Sequence, residues 1–74
     1  MQVVQTFAKG MFDEIWAYLQ HFRGRDLAHI RVFTDRDSDE MHPTKQGIAV
    51  EISDLPKLAD AVAALVAAAE ARST

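Results

Sequence analysis

Residues 14–34 read EIWAYLQHFRGRDLAHIRVFT, and this stretch decides the fold. From Glu14 to Phe22 aromatic and β-branched residues are dense and no apolar stripe survives a helical period, so the segment predicts a strand. Arg23-Gly24-Arg25-Asp26 predicts a short turn in which Gly24 takes positive φ. Leu27 to Thr34 predicts the returning strand, with Ala28, Ile30 and Val32 on one face and His29, Arg31 and Phe33 on the other. Together they form a hairpin.

Outward from the hairpin the chain punctuates itself. Val3 to Lys9, VVQTFAK, predicts a first strand that ends at Gly10. Asp35 to Glu40, DRDSDE, is too charged to bury and rich in residues that hydrogen-bond their own backbone, which predicts a solvated turn. Gly47 to Ile52, GIAVEI, predicts a fourth strand. Ser53-Asp54-Leu55-Pro56 opens a helix: Ser53 or Asp54 is a candidate cap, and proline is tolerated in a first turn whose N–H groups lack partners. The expectation is one α+β domain over residues 1–74, with its sheet at about 3–52 and its helix at about 54–70.

A chain of 74 residues buries a small core and calls for extra support. With no cysteine, disulfides and thiolate metal sites are excluded, and His21, His29 and His42 do not repeat at ligand spacing. Oligomerisation is the support that remains. The helix points the same way. Leu55, Leu58, Val62, Leu65, Val66 and Ala69 form a stripe that would cover one sheet face, yet AVAALVAAA (61–69) has no polar residue on any side. A second protomer would cover the remainder; alanine also favours helix on its own account. No stretch of eighteen apolar residues is free of charge, and no signal-peptide pattern opens the chain, so the expectation is a soluble protein of the cytoplasm without membrane contact.

The net charge of −3 is unevenly spread. Residues 1–34 carry four cations (Lys9, Arg23, Arg25, Arg31) against three acids, and 35–74 carry four against eight, which places any polyanion site in the first half. No G-x-S-x-G, H-E-x-x-H or phosphate-binding glycine loop is present, and the carboxylates of 35–40 lie in a turn that offers no pocket to separate their pKa values. Neither an enzyme nor a cofactor is expected. The other constellation is aromatic and cationic: Phe22-Arg23-Gly24-Arg25 at the hairpin tip, Arg31 and Phe33 on the next strand, Lys45 near Pro43. Single-stranded nucleic acid needs that mixture, because each base offers a π-face and each phosphate a charge.

FRGRDLAHIRVF, an acidic turn, MHPTKQGIAV and a helix, in that order over about residues 12–66, resemble the DNA-binding domain of the transcriptional coactivator positive cofactor four and its small bacterial and phage relatives. The resemblance implies a four-stranded, strongly curved antiparallel sheet followed by one helix. It also implies a homodimer paired through the helices, and binding of single-stranded DNA or melted duplex with little sequence preference; the sequence alone does not separate DNA from RNA as the preferred strand. Carried over by position, Phe22 would stack on a base, Arg23 and Arg25 would meet phosphates, Arg31 would lie in the channel, and Pro43 and Lys45 would form the opposite rim; Phe33, His42 and Gln46 are the further candidate binding residues. Gly47 would keep the turn that starts the fourth strand.

This chain departs from the family pattern at several points. His42 takes the place of a lysine, Gln46 that of a second basic residue, Thr34 that of a stacking tryptophan, and His29 that of an acid before Ile-Arg. The resemblance further implies transcription or replication proteins as partners, with a place at the nucleoid if the source is bacterial. The competing expectation is a dimeric protein-interaction module of the same fold that has lost most of its nucleic-acid affinity.

Overall fold

Alternation is what turns this sequence into a sheet. In the structure, a computed structural model that describes residues 1–73, the chain lays down β1 (Gln2–Lys9), β2 (Asp13–Phe22), β3 (Arg25–Thr34) and β4 (His42–Glu51). Each strand is antiparallel to the one before it, and the spatial order is the chain order. A 3-10 turn at Ile52–Asp54 leads into the helix α1 (Leu55–Arg72). The expected α+β architecture, an open four-stranded antiparallel sheet followed by one C-terminal helix, is the observed one.

The central hairpin is tighter than expected. Phe22 pairs directly with Arg25, so only Arg23 and Gly24 remain in the loop. Both have positive φ, 53° and 76°, the requirement of the two-residue turn that matches strand twist. Arg25 and Asp26, expected in the turn, belong to β3. β4 is longer than expected at its start. Pro43 to Gln46 read as loop, but β4 is an edge strand, where proline's missing N–H breaks no ladder.

Gly47 therefore sits mid-strand opposite Arg31 and does not open the strand. Between the Arg31–Gly47 and Phe33–Pro43 pairs, residues 44–46 face Val32 alone, a bulge. The Thr44 hydroxyl pins it by donating to the Val32 carbonyl at 2.8 Å and accepting from the Gln46 N–H at 3.1 Å. A Cβ on Gly47 would come within 2.6 Å of the Ile30 carbonyl oxygen and 2.7 Å of the Arg31 Cα, so glycine is what lets β4 approach β3 there.

Helix α1 begins without the expected side-chain cap: neither Ser53 nor Asp54 accepts from its first N–H groups. Asp54 instead lies 3.7 Å from Lys57, and Pro56 removes one orphan donor. The helix runs past Glu70 to Arg72, where the Ser73 hydroxyl donates to the Ala69 and Glu70 carbonyls.

The most buried side chains are Tyr18, Ala28, Val32 and Phe33. Tyr18 and Phe33 are on one sheet face, Ala28 and Val32 on the other. None of the described helix residues is buried. An open apolar cleft of about 490 Å³ separates Ile30 from Leu55, Leu58, Ala59, Val62 and Ala63, and Leu65 and Val66 are 69% and 51% exposed.

The whole is thin, 41 × 35 × 18 Å, with a radius of gyration of 14.3 Å where a compact chain of this length has about 11 Å. Its accessible surface of 5884 Å² exceeds that of a typical monomer of this mass by about 1,300 Å². Among the described residues no helix is long and apolar enough to cross a membrane.

Candidate functional site

The hairpin register gathers the candidate residues on one face. Trp16 pairs with Arg31, Tyr18 with His29, Gln20 with Leu27 and Phe22 with Arg25, so the even positions of β2 and the odd positions of β3 point the same way. Their rings form a ladder. Trp16 stacks on Phe33 (centroids 4.0 Å apart, planes within 4°), Tyr18 stacks on His29 (4.6 Å, 2°), and Tyr18 meets the Phe33 edge at 5.8 Å. Trp16 Nε1 donates to Glu14 Oε1 at 2.8 Å, which fixes the indole. Such contacts rigidify a surface in addition to burying it.

Above this floor runs a groove of about 570 Å³, open to solvent, lined by Phe22, Arg31, Phe33, Pro43 and Lys45 among the predicted residues, and by Tyr18, His29 and Thr44 besides. Phe22 is half exposed, and the Arg23 guanidinium sits 5.1 Å above its ring. Arg31 donates to the Thr44 carbonyl at 3.2 Å. That bond ties the β4 bulge to the groove and uses one of the five donors of the guanidinium. Pro43, opposite Phe33, and exposed Lys45 form the far wall.

Arg25, Gln46 and His42, the other predicted residues, do not line the groove. Arg25 has the parity of the groove face but lines a separate hollow with Asp26, Glu51, Ile52 and Ser53, 3.4 Å from Glu51 on the neighbouring strand. Gln46 lines a hollow with Asp13, Val32 and Thr34, positions of the opposite face, and with Arg36 and Lys45 at its edge. His42 pairs with Thr34 and so projects from the Val32 face, away from the groove, exposed, with Nδ1 3.2 Å from the Glu40 carbonyl. Phe33 is in the groove but 3% exposed, its face covered by Trp16, so it serves as floor and offers a ligand little surface.

Sequence reasoning did not single out Tyr18, and it read His29 only as a departure from a pattern. The signal for Tyr18 was available, since positions 18 and 22 share parity on one strand. His29 has both ring nitrogens covered and without a hydrogen-bond partner. Burial, and then the positive charge of Arg31, hold its pKa below the ordinary histidine range, so the ring is neutral at neutral pH.

Among the described residues no group of His, Asp and Glu side chains is arranged to hold a metal ion. What the face offers is an exposed ring, a rigid aromatic floor and four cations (Arg23, Arg25, Arg31, Lys45), an arrangement that can stack a planar group and neutralise anions beside it.

A model of the family described as Transcriptional Coactivator p15 (PC4) matches residues 15–61, from β2 into the first turns of α1. The fold is similar to that of a PC4 homologue from Burkholderia pseudomallei K96243. In its tetragonal crystal form the TM-score is 0.77 at 21% identity, covering 90% of this chain and 96% of that one. In its orthorhombic form the values are 0.75, 25%, 90% and 88%. A bacteriophage T5 homologue of the eukaryotic transcription coactivator PC4, implicated in recombination-dependent DNA replication, gives a TM-score of 0.75 at 21% identity over 93% of this chain and 80% of that one. No curated protein matches the chain.

Proposed function

Because the chain belongs to the Transcriptional Coactivator p15 (PC4) family, we propose that it is a non-enzymatic domain that binds single strands of DNA, and of RNA, with little sequence preference. The observation that carries this reading is the half-exposed Phe22 ring beneath Arg23, at the mouth of a groove whose lining includes Arg31 and Lys45. A base stacks on Phe22, Arg23 and Arg25 meet phosphates at the tip, and the backbone passes between Arg31 on one side and Pro43 and Lys45 on the other. Phe33 stiffens the floor. Arg23 supports the reading in a second way: a non-glycine residue at φ 53° costs on the order of 1 kcal/mol, and strain of that kind collects where a side chain is needed in place.

The working unit in this proposal is a homodimer closed through α1. The surplus of about 1,300 Å² over a typical monomer is of the size each partner loses in an obligate dimer, and the exposed apolar residues of the helix supply its chemistry. Two grooves on one dimer then hold one strand with greater avidity than either alone. The setting is transcription or DNA metabolism, in cytoplasm and at the nucleoid if the source is bacterial; the T5 homologue's link to recombination-dependent replication is support of that kind.

The test is fluorescence anisotropy of a labelled mixed-sequence DNA 20-mer, single-stranded and duplex, at two salt concentrations. Single-strand binding follows a log–log salt slope of about −0.7 per phosphate contact, so three or four contacts in a groove predict a loss of roughly 20- to 50-fold for a fourfold rise in salt, and about the product of two such factors when one strand engages both grooves. Preference for the single strand with that dependence is expected. A folded dimer that binds neither form at low salt would overturn the reading in favour of a protein-interaction module.

A further inference from the structure

The residue at the centre of the groove floor has no part in the strand contacts described so far. His29 lies flat against Tyr18 and lines the same groove as Phe22, Arg31 and Lys45. A neutral imidazole carries one N–H donor and one acceptor nitrogen, and here both nitrogens are covered and without a partner. A half-turn about the Cβ–Cγ bond exchanges each nitrogen with a ring carbon and leaves the ring plane stacked as it was. The orphaned nitrogens are thus a rotation away from the positions now held by carbon.

The charged groups near the ring are Arg31, Lys45, the ammonium of Met1, which also lines the groove, and Glu14, on the same face beside Trp16. Tyr18 faces it from β2, Arg31 from its own strand, and across on β4 the pairing residues Ala49 and Gly47 do not titrate. On β1, Val3 pairs with Tyr18 and Thr6 with Trp16, both uncharged. Farther along, Lys45 lines the groove and Glu51, opposite Leu27, lies 3.4 Å from Arg25. Glu14 accepts from Trp16 Nε1 at 2.8 Å, and no acid lines the groove to balance a second positive charge beside Arg31. A phosphate laid in the groove would provide both missing elements, an acceptor for the ring N–H and an anion to offset Arg31.

Resting on the single-strand reading of this groove, we propose that His29 is a strand-contacting residue that, beside Arg31, binds a backbone phosphate and takes up a proton as it does so. Neutral in the free protein, the ring becomes an imidazolium under the strand. Binding then tightens as pH falls, because the bound form holds a proton that the free form lacks. Each engaged groove contributes at most about a tenfold gain per pH unit.

The experiment is single-strand 20-mer anisotropy at fixed ionic strength between pH 5.5 and 8.5, for the wild type, His29→Phe and His42→Gln. Phenylalanine retains a ring against Tyr18 and removes the nitrogens. His42→Gln controls for the exposed histidine on the opposite face, and His21, 2.8 Å from Asp26 and outside the groove, is left in all three. Affinity rising toward low pH in the wild type and in His42→Gln, with most of that slope lost in His29→Phe, is the expected result. A wild-type slope retained by folded His29→Phe overturns the inference and leaves strand binding standing, whereas absence of binding by all three folded proteins removes the strand reading and the inference together. Should His29→Phe fail to fold, imidazole carbon–proton NMR of the wild type decides: the His29 pKa rises on addition of the unlabelled 20-mer, and an unmoved pKa overturns the inference.

Discussion

The two faces of the sheet are made from the same strands and end in different states. On the groove face Trp16, Phe33, Tyr18 and His29 close on one another, and Phe33 is 3% exposed without help from any other element. On the opposite face Ile30 and Ile48 are 37% and 46% exposed, the cleft toward α1 stays open, and the helix buries none of its described residues. Planar rings can satisfy each other within one sheet, whereas aliphatic side chains need a second layer. One face is thus finished by a single chain and is free to meet a ligand; the other has the chemistry of an unfinished core.

The sharpest way to break this contrast is to remove the ring that closes the groove face. Phe33→Ala should cost about 3–5 kcal/mol of stability, read as a lowered denaturant midpoint; a change below about 1 kcal/mol would mean the ladder is decorative. Next, Leu65→Asp addresses the unfinished face. At an exposed helix position it should be nearly neutral, but if α1 closes a dimer it removes roughly 1.5–3 kcal/mol of leucine burial from each protomer, and sedimentation should show the dimer dissociating.

Phe22→Ala then separates the two kinds of ring. Half exposed, it should leave stability within about 0.5 kcal/mol while single-strand affinity falls by the roughly 1–3 kcal/mol of one base stack.

A smaller effect concerns acid. The folded pKa of His29 lies below its unfolded value, by burial first and Arg31 second. The stability this provides is present above pH 6.5 or so and is lost as pH falls through the folded pKa. Ligand-free protein should therefore lose stability below about pH 6.5, and His29→Phe should lose less of it in thermal melts. Smallest of all, Glu51→Gln should free Arg25 from an exposed ion pair at 3.4 Å, a pair worth about 0–1 kcal/mol. Oligonucleotide affinity should rise slightly, with stability nearly unchanged.

Much of this was legible in the sequence because strands announce themselves by parity. The faces of β3 follow from alternation alone, and the bounds of β2 differ from expectation only at Asp13. What alternation does not carry is the number of residues a turn consumes. Arg23-Gly24 suffices because Arg23 accepts positive φ, so β3 begins earlier than polarity suggested. Nor does it carry a bulge. Pro43-Thr44-Lys45-Gln46 has the composition of a loop and becomes strand through contacts distant in sequence, Thr44 with Val32 and Arg31 with Thr44. The isolation of His29 depends on what two other strands place around it, and no local pattern records that.

The Gly47 crossing has a consequence for how such a groove can diversify. A library randomised over 45–47 should return glycine at the third position, because any Cβ there meets β3 backbone at under 3 Å. The two positions before it are exposed and should return a broad spread of side chains. The fold thus sets an invariant hinge point beside a pair of freely writable letters. Descendants of this chain could retune the charge of the far wall, residue by residue, on an unaltered frame.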